Sequence, residues 1–188
     1  PESGSAEFVA EHFTTDFEMT SIISTFIDGD TTLDVAFTGT HNGNDVLQLA
    51  FVRDGLLQLG ASMQLPDRVR PLYSADLNRD GLSDFILIHR GSDKYSLQPR
   101  FSICHLTPSY DLVLEETISI AFAGDGYAEP RAATINDFNG DGYLDIIIML
   151  RNDGGKSAVV YLNDGTGHFD TSVYEPAWFD TNSKGQHI

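Results

Sequence analysis

Positive charge is scarce in this 188-residue chain: 11 Lys and Arg stand against 28 Asp and Glu, for a net charge of −17. Nucleic-acid surfaces are built from clustered Lys and Arg, so no nucleic-acid partner is expected. An acidic surface suits solubility and cation binding instead. Cysteine is scarcer still. Cys104 stands alone in the apolar stretch FSICHL, so no internal disulfide forms and the residue reads as a buried thiol. No run approaches the ~20 apolar residues of a membrane helix, and no membrane insertion is expected of this sequence. The first residues, PESGSAEF, are polar, so any targeting segment has been removed or lies outside it. No Asn-x-Ser/Thr acceptor for N-glycosylation occurs.

Catalytic signatures are absent too. There is no G-x-S-x-G elbow and no H-E-x-x-H helix. The histidines, at 12, 41, 89, 105, 168 and 187, are scattered, with no two at metal-ligand spacing. The expectation is that the chain is not an enzyme. Hydrophobic residues make up 41% of it and charged residues 21%, the balance of a chain with a packed core rather than a disordered one.

What is present is a repeat. Ser74 to Ile88 reads SADLNRDGLSDFILI, and Ile135 to Met149 reads INDFNGDGYLDIIIM. Both contain D-x-N-x-D-G-x-x-D followed by an apolar run, and their last aspartates, Asp84 and Asp145, lie 61 positions apart. A degenerate third copy, FIDGDTTLDVAF, runs from Phe26 to Phe37. It keeps Asp28, Asp30 and Asp34 but has Phe26 at the first ligand position and Thr31 at the glycine position. Each acidic loop leads into a short β-rich run, LDVAF, DFILI or DIIIM, of the kind buried on both faces. Turn signals follow (HNGND, RGSDK, RNDGGK), then strand candidates VLQLAFV, SLQPRFSIC and SAVVYL. Last come LLQLGAS, DLVLEETI and HFDTSVY. Helical periodicity is weak, and seven prolines and 17 glycines punctuate the chain. The fold class is therefore all-β, in antiparallel meandering units of four strands, the pattern of propeller blades. A sandwich would not repeat one acidic loop at the same point of each unit. The units span about residues 20–63, 70–119 and 131–175.

The loops carry oxygen donors at alternate positions around a glycine, the donor set calcium takes at six to eight coordination. The candidates are Asp76, Asn78, Asp80, Asp84 and the Leu82 carbonyl in one loop. In the next they are Asp137, Asn139, Asp141, Asp145 and the Tyr143 carbonyl. Asp28, Asp30 and Asp34 form a depleted set, expected to bind weakly or not at all. No His or Cys enters these loops, which argues against zinc. Carboxylates crowded together without a cation would repel one another. An EF-hand needs Glu at the twelfth position and a following helix. Leu87 and Ile148 stand there instead, before strand-like runs.

The D-x-[DN]-x-D-G-x-x-D loop followed by an apolar strand resembles the FG-GAP repeat of integrin α subunits and the related VCBS repeats of bacterial surface proteins and toxins. The stretch VVYLNDGTGHF, residues 159 to 169, is similar to the second half of those repeats, and the resemblance covers roughly residues 20 to 175. It implies a propeller, usually of seven blades, with structural calcium between the first two strands of a blade. It also implies a protein or carbohydrate ligand on the opposite, upper face, and an extracellular or cell-surface, secreted setting. Candidates for that face are Arg68, Arg70, Arg90, Lys94, Tyr95, Tyr127, Arg131, Arg151 and Lys156. Three units do not close a seven-bladed ring. The remaining blades are expected from the rest of a parent chain, since PAWFDTNSKGQHI halts at a blade boundary, or else from a second chain. The expected role is a calcium-stabilised binding or adhesion module. The alternatives are the propeller of a secreted carbohydrate-active enzyme of polysaccharide-lyase type, or a toxin or scaffold propeller.

Overall fold

The computed structural model describes residues 16–89, 99–120, 128–152 and 155–169. Among these there is no helix, and the strands form three antiparallel sheets, each a simple meander. The first sheet holds β1 (Glu18–Thr25), β2 (Asp34–His41), β3 (Asn44–Arg53) and β4 (Leu56–Gln64). The second holds β5 (Val69–Ala75), β6 (Asp84–His89), β7 (Arg100–Leu106) and β8 (Leu112–Ser119). The third holds β9 (Ala128–Asn136), β10 (Asp145–Asn152) and β11 (Gly155–Tyr161). The HFDTSVY run expected to follow lies mostly outside the described residues.

Local chemistry sets the register. Asn42-Gly43 and Asp54-Gly55 each place two residues at positive φ (50° and 80°, 53° and 77°). That is the two-residue hairpin turn whose twist matches the flanking strands. His41 accordingly faces Asn44, and Arg53 faces Leu56.

Packing explains the apolar runs. Every residue of β6 is buried. Its alternate side chains serve different neighbours, as strand geometry requires. Phe85 and Leu87, with Cys104, join Ala36, Leu47, Leu49 and Leu72 in one core between the first and second sheets. Ile86 and Ile88, with Phe101 and Ile103, join Ile146, Ile148, Leu150 and Val159 in another between the second and third. Each of the Leu, Ile, Val and Phe side chains contributes about 1.5–3 kcal/mol by leaving water. The leading strands lie near one another: Leu72 N–H of β5 donates to Ser21 Oγ of β1 at 3.2 Å, and Ala133 N–H of β9 donates to Tyr73 Oη of β5 at 2.7 Å. The three acidic loops, at 26–33, 76–83 and 137–144, each join the first two strands of a sheet.

Candidate metal-binding loops

The second and third loops are the same turn built twice. Positive φ values fall at Arg79 (61°) and Gly81 (84°) in one, and at Gly140 (81°) and Gly142 (92°) in the other. Glycine meets that demand without strain, whereas Arg79 takes it as a non-glycine residue. These bends turn consecutive N–H groups inward. Gly81 N–H donates to Asp76 Oδ2 at 3.0 Å, and Gly142 N–H to Asp137 Oδ2 at 2.8 Å. Leu82 N–H donates to Asp80 Oδ1 at 2.8 Å, as Tyr143 N–H does to Asp141 Oδ1. Asn78 Nδ2 donates to Asp80 Oδ2 at 3.2 Å, and Asn139 Nδ2 to Asp141 Oδ2 at 2.7 Å. Asn78 Oδ1 and Asn139 Oδ1 accept in turn from Asp80 N–H at 3.0 Å and Asp141 N–H at 2.9 Å, so each loop fixes two carboxylates and an amide oxygen by bonds from its own backbone. The Tyr143 N–H first, then Asn139 and Arg79, hold the Asp141 carboxyl below the usual carboxylate range.

The last aspartate of each motif has a different place. Asp84 and Asp145 are fully buried. Asp84 Oδ2 accepts from Leu77 N–H at 2.8 Å, and Asp145 Oδ2 accepts from Phe138 N–H at 2.9 Å. Their Oδ1 atoms reach the far end of the third strand. Asp145 Oδ1 accepts from Asn163 N–H at 2.9 Å, and Asp84 Oδ1 lies 2.7 Å from His105 Nδ1. The bond to Asp84 is the main force raising the His105 pKa, burial opposes it, and Glu115 at the other ring nitrogen adds to it. These two carboxylates tie the loop to the sheet from beneath.

The donor set fits a hard divalent cation. A carboxylate that accepts two N–H bonds keeps lone pairs free, and every side-chain donor is oxygen, as calcium prefers. Asp76, Asn78 and Asp80 would hold such an ion in one loop, and Asp137, Asn139 and Asp141 in the other, with Asp84 and Asp145 at the floor.

The first loop departs. It keeps the equivalents of two bonds, Asp30 N–H to Asp28 Oδ1 at 3.1 Å and Thr32 N–H to Asp30 Oδ1 at 2.6 Å. Phe26 offers no side-chain acceptor and is exposed. Arg53, from the end of β3, pairs with Asp28 and approaches Asp30.

Adjacent loops touch. Ser83 Oγ donates to the Phe26 carbonyl at 3.0 Å, and Tyr110 Oη to the Asp28 carbonyl at 3.0 Å. Arg79 donates to the Gly142 carbonyl and stacks on the Tyr143 ring, 4.3 Å from its centre. Asn163 Nδ2 bridges the carbonyls of Leu77 and Leu144 at 2.8 and 3.1 Å. Arg53, Arg79, His105 and Asn163 were not among the residues singled out by the motif. Only Asn163, within the N-D-G-T-G stretch, carried a local signal.

The candidate upper-face residues are dispersed. Arg68 and Arg70 are exposed, and Arg70 Nε donates to the Thr20 carbonyl at 3.1 Å. Arg131 pairs with Glu129 at 2.6 Å, and Arg151 is exposed. Arg90, Lys94, Tyr95, Tyr127 and the Lys156 side chain lie outside the described residues.

A polar chain crosses the second sheet: Asp67 to His89 Nδ1, His89 Nε2 to Ser102 Oγ at 2.7 Å, and Ser102 Oγ to Thr117 Oγ1 at 2.7 Å. The order Asp-His-Ser is that of a nucleophile relay. Ser102, however, has no exposed surface and His89 only 2%, so here the chain is a cross-strand tie. Compared with protein-family models and with curated protein sequences, the chain matches none of either.

Proposed function

We propose that the chain is part of a calcium-stabilised β-propeller of FG-GAP type, serving as an extracellular binding module for a protein or carbohydrate. The carrying observation is the matched pair of loops at Asp76–Asp84 and Asp137–Asp145. Two sequences that share only the motif adopt left-handed bends at the same two positions and share two N–H-to-carboxylate bonds, from Gly81 and Gly142 and from Leu82 and Tyr143. Three consecutive four- or three-stranded meanders, packed face to face around a central sheet buried on both sides, support the propeller reading. On that reading the ion is structural: it neutralises the loop carboxylates and stiffens the link between the first two strands. Further blades come from the rest of a parent chain or from a second chain, and the ligand meets the face opposite the loops.

The test is calcium titration calorimetry on protein freed of metal with chelator. Two sites are expected, one lost in Asp80→Ala and the other in Asp141→Ala. A protein that takes up no calcium, or that binds zinc in preference, overturns the assignment. With calcium bound, retention on protein or polysaccharide matrices, without release of cleaved product, supports the binding role. Cleavage of the matrix overturns it.

A further inference from the structure

The first acidic loop differs from the other two in what neutralises it. Arg53 ends β3 and aims its guanidinium into the loop. One terminal nitrogen pairs with Asp28 Oδ2, and the other lies 3.4 Å from Asp30 Oδ2 and 3.9 Å from Asp34 Oδ1. The Phe51 ring stacks against it, 5.0 Å from centroid to guanidinium carbon. With Asp34 aligned on Asp84 and Asp145, these carboxylates hold the places of Asn78, Asp80 and Asp84, and of Asn139, Asp141 and Asp145.

A second observation is independent of the pairing. Asp34 is fully buried, its Oδ1 accepts from Val52 N–H at 2.8 Å, and its Oδ2 has no hydrogen-bond partner. Asp84 and Asp145 place that same oxygen on Leu77 and Phe138 N–H. A buried carboxylate with one oxygen unpaired is costly without a cation nearby, and the Arg53 guanidinium, 3.9 Å from the other oxygen, Oδ1, stands beside it. Backbone geometry agrees. In residues 26–34 only Gly29 takes a positive φ (74°), so Thr31 does not make the second left-handed bend seen at Gly81 and Gly142.

We infer that Arg53 is the resident cation of the first loop, standing among Asp28, Asp30 and Asp34 where a divalent ion would sit, and that removing it turns this loop into a divalent-cation site. Guanidinium stays charged at all accessible pH values. The first sheet is therefore held together at any calcium concentration, while the second and third depend on it. The choice of calcium as probe rests on the reading of the other two loops.

The experiment compares the full chain as wild type, Arg53→Met, Arg53→Lys and the double variant R53M/D28A. Readouts are calcium calorimetry after chelation and melting temperature with and without calcium. R53M is expected to bind one calcium more than wild type, at about 10⁻⁴ to 10⁻³ M. It should melt below wild type in chelator, with millimolar calcium closing most of the gap. R53K should keep the wild-type stoichiometry, and R53M/D28A should lose the added site. An R53M protein with wild-type stoichiometry and a gap that calcium leaves open overturns the inference. So does an R53M protein that does not fold even in calcium. If wild type binds no calcium yet R53M binds one through Asp28, the reading of the second and third loops fails while that of Arg53 stands. Two sites in both proteins is the reverse result.

Discussion

The side-chain amide of Asn163, just beyond β11 of the third sheet, donates to the backbone carbonyl of Leu77 in the second sheet's acidic loop at 2.8 Å. The same buried side chain donates to the Leu144 carbonyl and accepts from the N–H groups of Gly165 and Gly167 at 2.9 and 3.0 Å. It therefore satisfies four backbone groups from two sheets. Asn163→Ala strands them, and each buried polar group left without a partner costs about 1–3 kcal/mol. Partial relaxation leaves an expected loss near 3 kcal/mol in urea unfolding. Asn163→Asp should not rescue it, because a carboxylate would face two carbonyl oxygens. A loss under about 1 kcal/mol in N163A would mean that water replaces the amide.

Asp141 and Asp145 sit four positions apart, yet the cost of replacing the first should depend on calcium and that of replacing the second should not. Asp141 is exposed in the loop, so Asp141→Ala should lower the melting temperature in calcium and change it little in chelator. Saturation at 100 times Kd is worth about 2.7 kcal/mol per site, and at a few times Kd about 1 kcal/mol. Asp145 is buried and holds Phe138 N–H and Asn163 N–H. Asp145→Ala should cost about 2–4 kcal/mol in both conditions, because two buried donors lose their acceptor. Equal calcium dependence of the two variants would move Asp145 from tie to ligand.

His89 sets a pH dependence. Burial holds its pKa below the ordinary histidine value against the pull of Asp67, with Arg100 acting in the same direction as burial. In its neutral form Nδ1–H donates to Asp67 and Nε2 accepts from Ser102, which completes the chain to Thr117. The folded pKa is the depressed one, so the unfolded chain takes up a proton first, near pH 6.5. The contribution of His89 is fully present above that pH and is lost as pH falls from there through the lower folded value. Between roughly pH 7 and pH 5, wild type should lose more unfolding free energy than His89→Gln. Equal losses would assign the effect to carboxylates elsewhere.

The strands that follow the acidic loops were legible because continuous apolar runs have one explanation in a layered β fold: both faces are covered. DFILI and DIIIM begin where β6 and β10 begin, and LDVAF enters β2 at its second residue, Asp34. The strands that precede the loops, β1, β5 and β9, escaped the pattern. EMTSIIST, VRPLYSA and AEPRAATIN mix polar residues and proline into sequences that only their position beside β2, β6 and β10 makes strands. The acidic loops were readable as oxygen-rich turns, and loss of the first ligand position at Phe26 was readable as degeneracy. What spacing does not carry is the third strand's delivery of Arg53, His105 and Asn163 to the loops, since each comes from 18 or more positions downstream through sheet register.

Cys104 tests the seam between the first and second sheets. It lies on β7, is fully buried, and packs in the core with Leu47, Leu49 and Phe85. Burial, reinforced by the charge of Asp84, pushes its thiol pKa up to about 12. Alkylation requires both access and thiolate, and the native chain offers neither. Iodoacetamide should therefore leave the folded protein unlabelled, and labelling should rise with urea along the same curve as the loss of sheet signal. Cys104→Ala, which removes a small buried side chain, should cost about 1–2 kcal/mol. Cys104→Ser should cost more, because the polar partner of the thiol, the His105 carbonyl at 3.9 Å from Sγ, lies beyond the reach of a hydroxyl hydrogen bond, and the hydroxyl is otherwise buried among apolar side chains. Labelling in the absence of denaturant, at a rate independent of global stability, would show that the first sheet parts from the second without unfolding and that the seam is a hinge rather than a core.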